Sequence, residues 1–444
     1  MKILIAGAGE VGSHLAKLLS REAQDVVVVD RDAARLDVLD SKFNLLTVCG
    51  SPTSFSILNE ANAGKCDLFV AVTPFETDNV TACAIAKSLG AKKTVARVDN
   101  FEYMKDKHRD FFRSHGVDSV IYPEYHAAVE IMTALNKTWT RHWFEMWNGE
   151  LILVGVKLRA NASIVGMKLR EFGASSRNFH VSAIRRRHDT IIPNGEDIIK
   201  EGDIVYFMTR REHVDELRNL CGKTETEVKN VMILGGGRIA SGLCTMTAGK
   251  YNVKIINDDA DACMKIAEFC PDADVVCGDG RDNDLLIDEG IGNFDAFLAL
   301  SDSSESNILA CLTAKEFGVK KTIAEVENIQ YIGEAEALNI GTIVNKKLLA
   351  AGAIFQQLLD QDASNSKCMA LADAEVAEIE VKEGSKITRA AVKDLKLSHD
   401  MTIAGLIRDG KGQLVGGQTV IRGGDRVVVF CLTGAIHKFE KLFN

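Results

Sequence analysis

The sequence is poor in proline and has no surplus of positive charge, and both facts restrict the classes of protein it can encode. Only five of its 444 residues are proline, and no low-complexity stretch interrupts the chain. Lysine and arginine number 53 against 62 aspartate and glutamate residues, which gives a formal net charge of −9. A nucleic-acid-binding protein needs a basic face, so we expect no nucleic acid as partner.

Clustered cysteines and long apolar runs are also missing. The 11 cysteines form no C-x-x-C motif and no group with histidine. This pattern is typical of reduced thiols in a cytoplasmic protein and predicts no metal site. No segment has the roughly 18 uninterrupted apolar residues of a membrane helix, so direct membrane insertion is not expected. The opening residues, MKILIAGAGEVG, have the pattern of a strand and loop, not of a signal peptide.

The chain contains an internal duplication. The segment from Ile3 onward matches the segment from Val231 onward over most of about 100 residues. Residues 69–100, FVAVTPFETDNVTACAIAKSLGAKKTVARVDN, align without a gap over residues 297–328, FLALSDSSESNILACLTAKEFGVKKTIAEVEN. A fainter repeat follows each copy, with a Gly-Asp turn at Gly202-Asp203 and again at Gly424-Asp425. The chain is therefore a large and a small unit, each present twice.

The pattern of each large copy predicts an α/β fold. Short β-branched runs alternate with helical stretches, which is typical of a parallel sheet covered on both faces. We predict two Rossmann-like doubly wound parallel-sheet domains, each followed by a helix and a small α+β module. The predicted domains are 1–123, 140–225, 228–346 and 366–444.

A glycine motif opens the first copy. Gly7-x-Gly9-x-x-Gly12 follows an apolar strand and begins a helix, the context that a dinucleotide fingerprint requires. A pyrophosphate would bind the backbone N–H groups at the helix start. Asp30 ends the next strand, where a carboxylate binds ribose hydroxyls and disfavours a 2′-phosphate, so NAD(H) is expected. The predicted cofactor-binding residues of this copy are Gly7, Ala8, Gly9, Glu10, Val11, Gly12, Asp30, Arg31, Gly50, Ser51, Thr73, Pro74 and Arg97.

The second copy keeps the glycine turn but changes the ribose position to Asn257. An asparagine still forms hydrogen bonds with a ribose but carries no charge, so NAD, ATP or ADP remain open here. Arg97, predicted to contact a phosphate or to form a structural salt bridge, becomes Glu325, so the two sites should differ. The predicted binding residues of this copy are Gly235, Gly236, Gly237, Arg238, Ile239, Asn257, Gly278, Asp279 and Ser301.

The sequence contains few of the residues and motifs that catalytic sites use. The ten histidines are dispersed, and there is no Walker lysine motif and no G-x-S-x-G motif. This favours a sensor over an enzyme and predicts no catalytic residues. An NAD-dependent oxidoreductase and a nucleotide-binding adaptor with vestigial sites remain alternatives.

The chain resembles the TrkA family of potassium-uptake regulatory proteins, which have tandem RCK (regulator of K⁺ conductance) N- and C-terminal domains. The resemblance rests on GAGEVG with Asp30, on the GGG repeat at residues 235–237, and on the Gly-Asp turns. It implies a cytoplasmic homotetramer at the inner face of the membrane, held there by a Trk-type potassium transporter. It also implies gating of that transporter in response to NAD(H), ATP or ADP.

Overall fold

The computed structural model describes residues 1–21, 24–187, 189–359, 368–371, 374–395 and 397–432. The last predicted module, 366–444, therefore lies partly outside the described residues. The chain divides into two compact units. One holds residues 1–126 and a helix from Lys346 onward; the other holds residues 127–345 and the second small module.

The first large copy forms a six-stranded parallel sheet in the order β3-β2-β1-β4-β5-β6. Its strands are β1 Lys2–Ala6, β2 Asp25–Asp30, β3 Leu46–Cys49, β4 Leu68–Ala71, β5 Lys93–Arg97 and β6 Ser119–Ile121. Its helices are α1 Glu10–Arg21, α2 Ala33–Lys42, α3 Phe55–Glu60, α4 Glu76–Leu89 and α5 Arg109–Ser114. The strand order reverses between β1 and β4, and that switch point is where open α/β sheets bind their ligands.

The second large copy repeats this topology, with the order β14-β13-β12-β15-β16-β17 and parallel pairing throughout. Its strands are β12 Asn230–Leu234, β13 Asn252–Asn257, β14 Asp274–Cys277, β15 Ala296–Ala299, β16 Lys321–Glu325 and β17 Thr342–Val344. Its helices are α9 Arg238–Thr247, α10 Ala260–Phe269, α11 Asn283–Asp288, α12 Ser304–Glu316 and α13 Ile332–Ala337. The central strands β4 and β15 are buried along their length, as their runs of Leu, Phe, Val and Ala predict.

The small modules are antiparallel. The first has the strand order β10-β9-β11-β8-β7 and the second contains the order β19-β22-β20-β21. The elements of the first are β7 His142–Met146, β8 Leu151–Lys157, α7 Leu169–Ser175, β9 Phe179–Arg186, β10 Asp189–Ile191, β11 Ile204–Thr209 and α8 Val214–Leu220. Those near and in the second are β18 Cys368–Leu371, β19 Ala374–Glu380, β20 Met401–Arg408, β21 Lys411–Leu414 and β22 Arg426–Leu432. The predicted fold class, two Rossmann-like domains with small α+β modules, is confirmed.

Each small module contains an equivalent buried ion pair between an arginine and the aspartate of its Gly-Asp turn. Arg186 donates Nε and Nη2 to the Asp203 carboxylate at 2.9 and 2.7 Å, and Arg408 donates to Asp425 at 2.8 and 2.6 Å. Each aspartate is only 2% exposed and also accepts a backbone amide of the preceding turn. The Gly-Asp turns of the sequence thus supply a buried carboxylate that ties the turn to a strand.

A long helix follows each large copy. α6, Pro123–Asn136, buries Ala127, Ala128 and Ile131 completely. α14, Lys346–Leu359, belongs to the same unit as the first copy although it follows the second copy in sequence, and it packs on α1. There Lys347 forms an ion pair with Glu10. Within the described residues no helix has the length and apolar character needed to cross a membrane.

Candidate functional site

The first glycine motif forms the tight turn between β1 and α1. Gly7 has φ +114°, a left-handed conformation that disfavours other residues, and its N–H donates to Val29 O at 2.8 Å. A Cβ at Gly12 would collide with the Gly7 carbonyl, so the third glycine lets α1 approach the strand end. α1 begins at Glu10, because the backbone turns into the helix directly after Gly9.

Gly9 has a different role from its two neighbours in the motif. A Cβ there would have its nearest other atom, Arg35 Nη1, at 4.0 Å. The space above Gly9 is therefore open, and the protein's own packing does not require glycine at this position. Close approach of a ligand to the backbone does require it, because an added side chain would stand where a phosphate meets the N–H groups.

Asp30 lies half-buried at the end of β2 and holds the glycine loop. Its Oδ2 accepts from Ala8 N at 2.5 Å and its Oδ1 accepts from Asp32 N at 2.9 Å. A carboxylate has about four lone-pair positions, so acceptor capacity remains for ribose hydroxyls. The residues present therefore fit the ribose and pyrophosphate of a dinucleotide.

The other predicted residues of the first copy line the same edge of the sheet. Gly50 N donates to Asp30 O at 2.8 Å, and Arg31 Nη2 donates to Ser51 Oγ at 2.9 Å, so the loops after β2 and β3 meet. A Cβ at Gly7 would lie 3.0 Å from Thr73 N, which places the loop after β4 against the glycine turn. Pro74 is exposed beside that loop. The structure thus brings together the ends of four neighbouring strands.

Arg97, for which two roles were predicted, forms an ion pair with Asp99 at 3.3 Å. This is the structural salt bridge. The Nε of the same guanidinium is buried and has no hydrogen-bond partner among the described residues. The phosphate contact stays a prediction.

Sequence reasoning missed the residue that organises the loop after β4. Asn79 is 1% exposed; its Oδ1 accepts from Thr73 N at 2.8 Å, and its Nδ2 donates to Thr73 O and Arg97 O at 3.0 and 2.9 Å. Asn307 makes the equivalent bonds to Ser301 and to Glu325 O in the second copy. The alignment of the two asparagines in the duplicated segments was the available clue. A buried amide that forms hydrogen bonds with backbone groups has no sequence motif of its own.

The second glycine loop keeps the turn and changes the ribose position. Gly235 has φ +100° and its N–H donates to Ile256 O at 2.9 Å. Asn257 Oδ1 accepts from Asp259 N at 3.2 Å, and Gly278 N donates to Asn257 O at 2.9 Å. Of the other predicted residues, Ile239 is buried and Arg238 is exposed at the start of α9.

A cavity of about 470 Å³ lies at this second loop, and its lining is acidic. Four carboxylates line it together with a single arginine: Asp258, Asp259, Asp279, Asp302 and Arg281. The hydrogen bonds from Arg281 lower the pKa of Asp279 to about 2, so this carboxylate is ionised at any physiological pH. A pyrophosphate would meet repulsion here that the first loop does not present to the same degree.

Metal ligands do not cluster in the described ranges, which contain no group of three or more His, Cys, Asp or Glu side chains able to hold an ion.

Two family models match the chain, each twice. The TrkA-N domain matches residues 3–123 and 231–346, and the TrkA-C domain matches residues 153–222 and 376–444. Together the four matches cover most of the sequence.

Curated relatives match over the full length. The chain is 31% identical to the Trk system potassium uptake protein TrkA of Haemophilus influenzae, covering 100% of this chain and 99% of that protein. It is 29% identical to the TrkA homolog of Archaeoglobus fulgidus, with 100% of both covered.

Solved structures of the GsuK protein share the fold at low sequence identity. The GsuK RCK domain matches with a TM-score of 0.60 at 17% identity, covering 100% of this chain and 94% of that one. The GsuK channel bound to NAD matches with a TM-score of 0.61 at 16% identity, covering 100% and 78%. GsuK bound to ADP matches with a TM-score of 0.52 at 14% identity, covering 81% and 70%.

Proposed function

Because the chain belongs to the TrkA family, as a regulatory protein and not an enzyme, we propose that it gates a Trk-type potassium transporter in response to nucleotide binding. The observation that carries the nucleotide part is the first glycine loop. It lies at the switch point of the sheet, with open space above Gly9 and the carboxylate of Asp30 holding its backbone.

NAD(H) is the proposed ligand of the first loop. The N–H groups at the start of α1 would receive the pyrophosphate, and Asp30 would receive the adenosine ribose. The bound dinucleotide would make different contacts in the different conformational states of the protein. Binding alone would then shift the balance between those states, and no chemical step is needed. The GsuK structures bound to NAD and to ADP support both ligands as candidates for such a fold.

The two loops are proposed to be unequal sensors. The second loop has Asn257 in place of the acid and an acidic lining, so we expect it to bind NAD(H) more weakly than the first. ATP or ADP is the proposed alternative ligand there. Unequal sites allow one regulator to respond to two nucleotide pools.

The partner is proposed to be a membrane-embedded Trk-type transporter, and the regulator a cytoplasmic homotetramer at the inner face of the membrane. The named activity of the relatives, potassium uptake, supports such a partner. A nucleotide changes transport only as far as its affinity differs between the states of the regulator. A tenfold difference in affinity shifts the balance by about 1.4 kcal/mol.

Rubidium flux into proteoliposomes tests this function. The vesicles contain the Trk-type transporter of the same organism, with or without the purified chain, and NADH, NAD, ATP or ADP is added in turn. We expect the chain to bind the transporter and the flux to change with at least one nucleotide. A flux that is the same with and without the chain, under all four nucleotides, would overturn the proposal.

A further inference from the structure

A strongly basic cleft lies in the unit that contains the second large copy. It has a volume of about 1010 Å³ and is lined by seven lysine and arginine side chains but only two carboxylates, Glu201 and Asp295. The whole chain carries a net charge of −9, so this concentration of positive charge runs against the composition. We call it the basic cleft. Its size is in the range of small-molecule binding sites.

Three parts of the chain supply the cations. Arg141, Lys157 and Arg159 come from the first small module, at and beside β7 and β8. Lys223 follows α8. Lys315 and the pair 320–321 come from the end of α12 and the start of β16 in the second large copy. Residues up to 180 positions apart thus meet around one space.

Neutral oxygens hold several of these cations in place. Arg141 Nη2 donates to Asn339 Oδ1 at 2.7 Å, and Lys157 Nζ donates to Glu336 O at 2.8 Å. Lys321 is 5% exposed and donates to Thr342 Oγ1 at 3.0 Å. Such bonds fix the side chains without cancelling their charge. The attraction of Glu336 offsets part of the charge of Arg141 and Lys157, and that of Glu130 offsets part of the charge of Lys321. The carboxylate of Glu336 is itself paired with Arg185 at 2.7 Å.

The first large copy provides an internal comparison. Lys87 and Lys92 align with Lys315 and Lys320, and in the first copy each is paired with a carboxylate. Lys87 Nζ lies 2.7 Å from Asp118, and Lys92 Nζ lies 2.7 Å from Asp67.

The second copy has lost one of those carboxylates. The strand registers place Gly341 where the first copy has Asp118. A Cβ at Gly341 would collide with the Thr322 carbonyl oxygen, so this backbone has no room for an aspartate. Lys315 donates instead to the backbone oxygen of Asn339. Among the described residues Lys315 has no ion pair, so the second copy has an excess positive charge at a position where the first copy pairs Lys87 with Asp118.

We propose that the basic cleft binds a small anion with a terminal chain of two or more phosphate groups, unlike the internal pyrophosphate of NADH, and recognises the phosphates, not an attached base. The excess of cations over carboxylates calls for several negative charges on one ligand. The hydroxyl of Thr224 and the second amide proton of Asn161, whose Nδ2 also donates to Gly222 O, would be further phosphate donors. The aromatic residue of the lining, Trp139, is 7% exposed and offers little surface for a base to stack on.

Burial and the crowding of like charges lower the pKa values of several lysines in the cleft. Burial, followed by repulsion from Arg159 and Arg141, lowers the pKa of Lys223 and of Lys315 to about 8. Burial lowers the pKa of Lys321 to about 7. A bound anion raises these pKa values, so binding at pH 8 should draw protons from the buffer.

Calorimetric titration of the full chain with sodium tripolyphosphate tests the proposal. The test variant is Arg159→Gln/Lys223→Gln, which removes one exposed and one half-buried cation and leaves the buried Lys321 in place. The control is Lys168→Gln/Arg170→Gln, which removes two cations of the same small module that pair with Glu196 outside the cleft. We expect at least tenfold weaker tripolyphosphate binding in the test variant and unchanged binding in the control.

Two further measurements separate the possible ligands. ATP should compete with tripolyphosphate at the cleft with an affinity within about fivefold, because the phosphates carry the recognition. NADH titration of the same test variant should match the wild type, so failure at the cleft is distinct from failure at the glycine loops. If the double variant has an altered melting temperature, the tripolyphosphate affinity is measured in the single variants Arg159→Gln and Lys223→Gln instead.

The proposal is overturned if tripolyphosphate does not bind at 50 mM salt, or if it binds the test variant and the wild type equally. It is also overturned if the cleft variant binds tripolyphosphate normally but loses its association with the transporter, since the cleft would then serve an acidic protein segment.

Discussion

The carboxylate of Asp30 holds the glycine loop closed, with its Oδ2 2.5 Å from the backbone nitrogen of Ala8. The loop that would receive a pyrophosphate and the acid that would receive a ribose are thus parts of one hydrogen-bonded structure. The second copy has Asn257 at this position, and its Oδ1 accepts from Asp259 N as Asp30 Oδ1 accepts from Asp32 N. The Nδ2 group of Asn257 faces Gly236, 2.5 Å from where a Cβ would lie, and an N–H group cannot accept the bond that Asp30 accepts from Ala8. The two loops therefore differ in hydrogen bonding as well as in charge.

Cofactor preference should follow from Asp30. We expect the wild type to bind NADH at least about tenfold more tightly than NADPH, since a 2′-phosphate would lie beside a carboxylate. Asp30→Asn should narrow that ratio severalfold. Fluorescence titration with both dinucleotides measures it, and Asp37→Asn, an exposed acid on α2, is the control. Equal affinity of the wild type for both cofactors would refute the role of Asp30.

Replacing two glycines of the motif by alanine should change the free energy of unfolding by very different amounts. Gly12→Ala forces a Cβ into the Gly7 carbonyl, so we expect a loss of at least about 1–3 kcal/mol in the free energy of unfolding. Gly9→Ala adds a Cβ in open space and should change stability by less than about 0.5 kcal/mol. Urea denaturation followed by circular dichroism compares the two. Equal destabilisation would show that Gly9 is also a packing residue.

The repeated ion pair of the small modules should be important for stability. Asp203→Asn and Asp425→Asn each leave an arginine and a backbone amide without a carboxylate acceptor. We expect each to lower the free energy of unfolding by about 1–3 kcal/mol. Asp215→Asn, which removes an acid that is 78% exposed and pairs with Arg218, should have an effect below about 0.5 kcal/mol. Thermal melts of the three variants give the comparison, and a similar effect of all three would contradict it.

Acid should destabilise the first small module through two buried histidines. Burial lowers the pKa of His142 to about 3 and that of His180 to about 4. Because both values lie below the unfolded value near 6.5, the unfolded chain binds more protons, and stability falls as the pH drops from about 6.5 toward 4. Each histidine contributes a slope of at most about 1.4 kcal/mol per pH unit.

His142→Phe tests that slope. The ring of His142 stacks near Tyr206 and Phe144, with centroids 5.6 and 6.1 Å away, so phenylalanine retains the aromatic contact. The free energy of unfolding, measured from pH 7 to pH 5, should decline less steeply in this variant than in the wild type. His115→Gln, at an exposed site, serves as the control. An unchanged slope in His142→Phe would show that His142 does not contribute to the loss of stability in acid.

The fold could be predicted from the sequence because its determinants are local and occur twice. A glycine motif between an apolar strand and a helix predicts a β-turn-α unit, and the second copy confirms the alignment of each element. The prediction of two doubly wound parallel sheets, each followed by a small module, agrees with the observed strand orders.

Contacts between distant residues could not be predicted in the same way. The basic cleft joins Arg141 with Lys321, and neither has a motif that indicates the other. Lys315 aligns with Lys87, yet the loss of the partner acid at Gly341 becomes visible only when the strand registers are known. Asn79 is buried and forms hydrogen bonds with backbone groups. This role depends on the loop geometry rather than on its sequence neighbours.

Calorimetric titration of NADH into the wild type, Gly9→Val and Gly237→Val tests the central claim most directly. Both glycines precede the first residue of a helix, and a Cβ at either position meets no clash, so both variants should fold. We predict that Gly9→Val weakens NADH binding by at least about tenfold, or 1.4 kcal/mol, while Gly237→Val keeps the tighter binding event. NADH binding in Gly9→Val that equals the wild type would contradict the assignment of the first glycine loop as the dinucleotide site.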